Sequence, residues 1–233
     1  MRDTSHEDPR HIFNVETDQG RPVLHITGDG YGGLITKNDY TNYRLVAEYR
    51  WGDRTWGDRA GKARDNGILV HGQGPDGGST VQRVGGVSPW LTSFEFQIIE
   101  GGVGDFLVLG GTDAGGQPLE IDATDETARR DNADYWQKGG EPKRVTRGRV
   151  NWLFRDPAWT DTVDVRGPKD VDTAGKGWTH LECIADGDSL TYIVNGTVVN
   201  QASRVTPSAG KLQIQTEQAE IYYRRIELQP LTR

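Results

Sequence analysis

Glu95, Gln97 and Glu100 lie close together in the run Ser93-Phe94-Glu95-Phe96-Gln97-Ile98-Ile99-Glu100. Two carboxylates flanking an amide on one surface suit acid/base work on sugars: one carboxyl gives a proton, one takes it, and the amide orients a hydroxyl. In a strand, alternate side chains point to opposite faces, so Phe94, Phe96 and Ile98 point toward a core while Glu95 and Gln97 share the other face. Glu100 is three positions past Gln97 and falls on the apolar side of a regular strand. A bulge at Ile98-Ile99 would return it to the polar side. His71 ends a strand beside a glycine-rich loop and is read as a candidate base, with an ordinary turn histidine as the alternative. Arg64-Asp65-Asn66 reads as a ligand clamp, or equally as an internal salt bridge with an Asx turn. Gln215 and Glu217 share a face if Leu212, Ile214 and Thr216 are core. Trp51, Trp56 and Trp136 sit in polar stretches and are the candidates for stacking on sugar rings, whereas Trp178 reads as core. Lys143, Arg144, Arg147 and Arg149 form a solvated face or an anion or substrate contact, and Asp105 after Gly104 reads as a turn residue.

These residues require strands to carry them, and the sequence supplies many short ones. Strand signals are Pro22–Thr27, Gly33–Thr36, Tyr43–Trp51, Asn66–His71, Ser93–Glu100 and Phe106–Leu109. In the last third they are Trp178–Ala185, Ser189–Val194, Thr197–Val199, Leu212–Thr216 and Ile221–Leu228. Asn195-Gly196 accepts the positive φ angles of a two-residue hairpin turn, and Asp186-Gly187-Asp188 forms another turn. Residues 1–19 read as a loose N-terminal segment and 20–233 as one domain, with a long excursion at about 110–177. Within that excursion Thr124–Arg130 suggests a turn of helix and Val150–Phe154 a short strand. So many short strands without a long helix predict an all-β sandwich of two antiparallel sheets.

Composition narrows the partners. The chain has 233 residues, 31 of them glycine, and 34% hydrophobic content, a balance that favours turns and strands over helices. A net charge of −7 makes nucleic acid and acidic membrane surfaces poor partners. Cys183 is the only cysteine, so no internal disulfide forms, and its alternation with Leu181 and Ala185 makes it a buried thiol. No apolar run reaches the roughly 18 residues a membrane span needs. The start, Met1-Arg2-Asp3-Thr4-Ser5-His6, lacks the apolar segment of a secretory signal. The sequence holds no phosphate-binding glycine loop, zinc set or nucleophile elbow. Asp122-Ala123-Thr124-Asp125-Glu126 and Asp186-Gly187-Asp188 offer oxygens for a divalent metal such as calcium, against the simpler reading of solvated acidic loops.

Taken in order, Tyr43-Arg44-Leu45 through Arg50-Trp51, Asn66-Gly67-Ile68-Leu69, Ser93 to Ile98, Trp178, Asn195-Gly196, Leu212 to Gln215 and Tyr223-Arg224-Arg225-Ile226 resemble the 3-keto-disaccharide hydrolase domain family, over roughly residues 20–230. Where the family pattern carries Ser and Arg, this chain has Gly67 and His71. The resemblance implies a concanavalin A-like jelly roll whose concave sheet carries the ligand groove, export in bacteria to the periplasm or medium, and attack on glycosides oxidised at carbon 3. It implies cleavage by hydrolysis or by elimination, with Glu95, His71 and Glu100 as the catalytic set. Gln97, Arg64, Asn66, Trp51, Trp56, Gln215, Glu217 and Arg224 would then hold the oligosaccharide or glycoside. A non-catalytic carbohydrate-binding module on the same fold is the alternative. A second resemblance is to retaining endo-glucanases of this fold, which carry Glu-x-Asp-x-x-Glu. Here Gln97 stands in the Asp position, removing a charge that helps place the two carboxylates.

Overall fold

The computed structural model describes residues 8–81 and 88–231. The first strands are β1 (Phe13–Asp18), β2 (Arg21–Ile26), β3 (Tyr31–Ile35), β4 (Tyr43–Thr55), β5 (Asp65–Gln73), β6 (Thr92–Ile99) and β7 (Phe106–Leu109). Next come β8 (Asp122–Arg130), β9 (Ala133–Trp136), β10 (Glu141–Val145) and β11 (Gly148–Val150). The chain closes with β12 (Thr179–Asp186), β13 (Ser189–Val194), β14 (Thr197–Thr206), β15 (Lys211–Glu217) and β16 (Ala219–Pro230). They build two antiparallel sheets, one of ten strands in the order β1-β2-β16-β4-β12-β13-β14-β8-β10 with β9 on β8, the other of six in the order β11-β7-β6-β5-β15-β3. The architecture is the expected jelly-roll sandwich.

Alternation explains how the sheets close on each other. Leu45, Ala47 and Tyr49 of β4 and Phe94, Phe96 and Ile98 of β6 all enter one core. Phe96 stacks on Tyr192 with ring centroids 4.2 Å apart, and Phe94 stacks on Phe106 at 5.6 Å. Each such pair contributes about 0.5–1.5 kcal/mol beyond the area it buries. The tight connection between β13 and β14 is the Asn195-Gly196 turn, with φ of 46° and 81° at its two central residues.

Three stretches differ from the sequence reading. The strand expected at Val150–Phe154 instead ends at Val150, the last residue of β11. Phe13–Asp18, inside the segment read as loose, is β1 and pairs residue by residue with β2. It was hidden because its exposed positions include Val15, so burial does not follow an apolar alternation. Thr124–Arg130 belongs to strand β8 rather than a helical turn, because β14 flanks it on one side and β10 on the other. Cross-strand pairing outweighs local preference there. The excursion at 110–177 therefore holds four strands, and residues 152–178 stay irregular. No described helix is long and apolar enough to cross a membrane.

Candidate active site

The site lies on the outer face of the six-stranded sheet. Residues directly opposite each other in an antiparallel pair point to the same side. Gln97 faces Gly67 and Glu95 faces Leu69 across β6 and β5. Leu107 faces both Glu95 and Arg149 across β6, β7 and β11, while Gln213 faces Leu69 across β15 and β5. Hence Asp65, Gly67, Glu95, Gln97, Arg149, Gln215 and Glu217 share one surface, with Phe94, Phe96 and Ile98 behind it. A smaller apolar cluster of Leu69, Trp90, Leu91 and Leu109 adjoins them. Gln213 ties that covering segment down: its Oε1 accepts from the Leu91 N–H at 3.0 Å and its Nε2 donates to the Pro89 carbonyl at 2.9 Å.

Gly67 brings the polar groups together. A Cβ at this position would stand 2.3 Å from Glu95 Oε1 and 2.6 Å from Gln215 Oε1. The carboxyl and the amide therefore meet directly above the glycine, in space a side chain would fill. Gln97 Nε2 donates to Asp65 Oδ1 at 2.9 Å, and Arg59 Nη1 lies 3.6 Å from Asp65 Oδ2. Gln97 Oε1 and Gln215 Oε1 are buried acceptors without a hydrogen-bond partner among the described residues. Such groups are costly unless a donor arrives, and ligand hydroxyls are donors of the right kind.

Burial separates the two carboxyls. Glu95 is only 4% exposed, and loss of hydration, reinforced by the charge of Asp65, pushes its carboxyl up to about 8, with Arg149 and Gln215 pulling the other way. Burial also raises Asp65, to about 6, against the opposing pull of the Arg59 and Arg149 guanidiniums. Both carboxyls are thus raised, Glu95 further than Asp65, so that of the two Glu95 holds its proton to higher pH. Arg149 is held by Asp105, a fully buried carboxylate that accepts from Arg149 Nη1 at 2.9 Å, from the Trp152 N–H at 2.8 Å, and from Arg155. Asp105 is an anchor for the arginines, more than the turn residue its Gly104 neighbour suggested.

Glu95, Gln97, Gln215 and Glu217 of the sequence-derived set come together; the others do not. His71 turns into the core, in edge contact with Tyr43 and Phe94, and its Nδ1 lies 3.0 Å from the Pro207 carbonyl. The register of β5 and β6 shifts between Val70 and Gln73, and His71 has φ of 53°. That bulge inverts the alternation that would have put it beside Glu95. Burial pushes its imidazole down to about 4, which makes it a weak base, and its ring lies on the core side of the sheet, away from Glu95 and Gln97.

The bulge expected at Ile98-Ile99 does not form: Ile98 and Ile99 pair consecutively with Asn66 and Asp65. Glu100 instead leaves the strand and accepts from the backbone N–H of Arg64 at 2.8 Å, from the Arg64 guanidinium, and from the Asp164 N–H at 3.1 Å. Arg64 and Glu100 form a clip joining the start of β5 to the 159–164 loop. Asn66 points inward, donating to the Gln215 carbonyl at 2.8 Å and accepting from the Tyr223 hydroxyl at 2.7 Å. Trp51 and Trp136 are core, and half-buried Trp56 donates to the Thr27 carbonyl at 2.9 Å. Arg224 lies on the other sheet, paired with Glu48 and stacked on Trp178.

The sequence presents Asp65 and Arg149 only as parts of longer polar runs, Asp65 in the Arg64-Asp65-Asn66 clamp and Arg149 in the Lys143-to-Arg149 basic stretch, and gives neither a role beside Glu95. Asp65 was in phase with Gly67 and Leu69, a signal obscured by its place in Arg64-Asp65-Asn66. Arg149 gave none. Among the described residues, no three or more His, Cys, Asp or Glu stand together as a metal-holding group. Of the acids considered for calcium, Asp122 is tied to Arg144 at 2.8 Å and Asp125 is fully buried in β8. Cys183 is buried and its thiol is pushed up by desolvation.

Residues 4–229 match the family model described as the 3-keto-alpha-glucoside-1,2-lyase-like domain. The chain belongs to this family. Membership gives the 3-keto-alpha-glucoside-1,2-lyase-like domain a carbohydrate-related function. Among solved structures it is similar to the carbohydrate-binding module CBM66 from Bacillus subtilis, with a TM-score of 0.50 and 9% identity over 93% of this chain and 91% of that one. It is also similar to a proposed glycosyl hydrolase from Parabacteroides distasonis (TM-score 0.48, 15% identity, 97% and 92% covered) and to the β-glucanase of Bacillus licheniformis (0.41, 10%, 94% and 83%). At 9% identity the likeness to CBM66 shows the fold alone. A search of curated protein sequences found no significant match.

Proposed function

We propose that this domain cleaves the glycosidic bond of 3-keto glycosides by elimination, with Asp65 as base and Glu95 as acid. A keto group at carbon 3 acidifies the hydrogen on carbon 2. The Asp65 carboxylate takes that proton, the released electron pair forms the C1–C2 double bond, and the C1–oxygen bond breaks. The departing oxygen takes the Glu95 proton. Water is not consumed, and the products are a 1,2-unsaturated 3-keto sugar and the free alcohol. Proton exchange with solvent restores both carboxyls. Gln97 orients Asp65, and Arg149 stabilises the enolate oxygen as charge develops on it. Gln97 Oε1 and Gln215 Oε1 accept sugar hydroxyls.

The observation that carries this reading is a pair of buried carboxyls on one face of the sheet, Asp65 bonded to Gln97 and Glu95 seated over Gly67, with separated proton affinities of about 6 and about 8. That separation supplies one base and one acid at the same pH. Glycan cleavage of this kind suits a periplasmic or secreted protein. The test is incubation with a 3-keto glycoside and its unoxidised parent, followed by mass spectrometry. Release from the keto sugar alone, as the unsaturated product, supports elimination; a product carrying added water indicates hydrolysis instead. Saturable binding without cleavage of either compound overturns catalysis and leaves a carbohydrate-binding module.

A further inference from the structure

The outer face of the ten-stranded sheet carries a second constructed surface that the acid pair does not use. His25, Tyr222 and Arg50 stand side by side across β2, β16 and β4. The His25 and Tyr222 rings stack at 4.3 Å, and the Arg50 guanidinium lies 4.8 Å from the Tyr222 ring and 5.0 Å from the Trp178 ring. Arg224 covers Trp178 in turn at 4.7 Å. Alternating rings and guanidiniums of this kind lock one another's rotamers.

Beside the stack opens a cleft of about 380 Å³, within the range of small-molecule sites. Glu220 is fixed in its wall: Oε2 accepts from the Asp53 and Arg54 N–H groups at 2.8 and 3.2 Å, and Oε1 contacts His25 Nε2 at 3.0 Å and the Tyr222 hydroxyl at 3.3 Å. Gly52 makes this seat, since a Cβ there would stand 2.3 Å from Glu220 Cγ. Asp53 and Lys176 form an exposed ion pair at the rim. Among the lining residues Arg50, Arg54 and Lys176 bring three positive charges and Asp53 and Glu220 two negative ones, and the Asp18 carboxylate 3.5 Å from Arg50 and the Glu16 carboxylate 2.6 Å from His25 Nδ1 stand just behind them. A wall in which positive and negative groups alternate, with donors and acceptors side by side, suits hydroxyl groups, which both donate and accept.

We propose that this cleft is a second carbohydrate-binding site, taking an uncharged mono- or disaccharide unit of a glycan. Asp53 accepts a sugar hydroxyl and Lys176 and Arg50 donate to others. The inference stands on the carbohydrate-related role of the family and is independent of the acid–base assignment on the opposite sheet.

The test uses the Glu95→Gln chain, so that chemistry at the first site is blocked, titrated with maltose, cellobiose and sucrose by two-dimensional amide NMR. The expected result is saturable shifts at Lys176, Trp178 and Tyr222 with at least one of them. An Asp53→Ala/Lys176→Ala double variant, altered only at exposed rim positions, weakens that binding about tenfold, the loss expected from one or two hydrogen bonds. No shifts with any of the three sugars, shifts confined to β5, β6 and β15, or binding unchanged in the double variant each overturn the proposal. Preference for glucuronate over all three overturns the uncharged ligand class.

Discussion

Gly67→Ala tests the site most directly, because it adds one methyl group at the point where the proposed acid and its amide neighbour meet. Gly67 lies in β5 without a positive φ, so alanine adopts the same backbone. Replacing glycine in a strand stabilises by about 0.5–1 kcal/mol through the unfolded chain. Against this, the new Cβ would stand 2.3 Å from Glu95 Oε1 and 2.6 Å from Gln215 Oε1. Both are ends of flexible side chains, and each must retreat by about 1 Å to reach ordinary contact; overpacking of this kind costs about 1–3 kcal/mol. The net change in stability is therefore about 2 kcal/mol or less, and the protein folds. Catalysis is affected more strongly, since misplacing a reacting group by about 1 Å costs roughly 100-fold, or about 3 kcal/mol of transition-state stabilisation. The assay is kcat/KM on a 3-keto glycoside alongside a thermal melt. A folded Gly67→Ala protein with kcat/KM within about threefold of the parent would refute the placement of Glu95 and Gln215 in the chemistry.

Asp65 must be ionised and Glu95 protonated, so kcat/KM should rise with pH through about 6 and fall through about 8, and Glu95→Gln should abolish the descending limb with a loss of roughly 10²–10⁴ in rate. A pH-independent profile would exclude the pair. Arg149 holds both carboxyls down, so Arg149→Met should move both limbs to higher pH; a shift in the opposite direction would contradict the assigned contact. His71→Asn, which tolerates the positive φ, should leave turnover of the keto glycoside intact because the imidazole faces the core. In the parent, the unfolded imidazole takes a proton below about 6.5 while the folded one resists until about 4. Stability present at neutral pH is thus lost as pH falls through that window, by about 3 kcal/mol in all. Denaturant melts from pH 7 to 4 should show this contribution in the parent and lack it in His71→Asn.

The sequence by itself determined what depends on local period. Alternation placed Phe94, Phe96 and Ile98 in the core and Glu95 and Gln97 on the opposite face. The same rule paired Gln215 with Glu217, and Asn195-Gly196 fixed a hairpin through the φ angles its residues accept. Tertiary structure decided the remainder. β8 became a strand because β14 and β10 offered it partners on both sides, and a bulge after Val70 turned His71 from the polar face into the core. Only the pairing of β5 with β6 brought Asp65 to the Gln97 amide on the face that carries Glu95, and only β11, far along the chain, delivered Arg149 to that face. The physical reason is that a side chain's facing follows from a two-residue repeat. Its neighbours depend on which strands hydrogen-bond together, and its proton affinity depends on how much water that assembly removes.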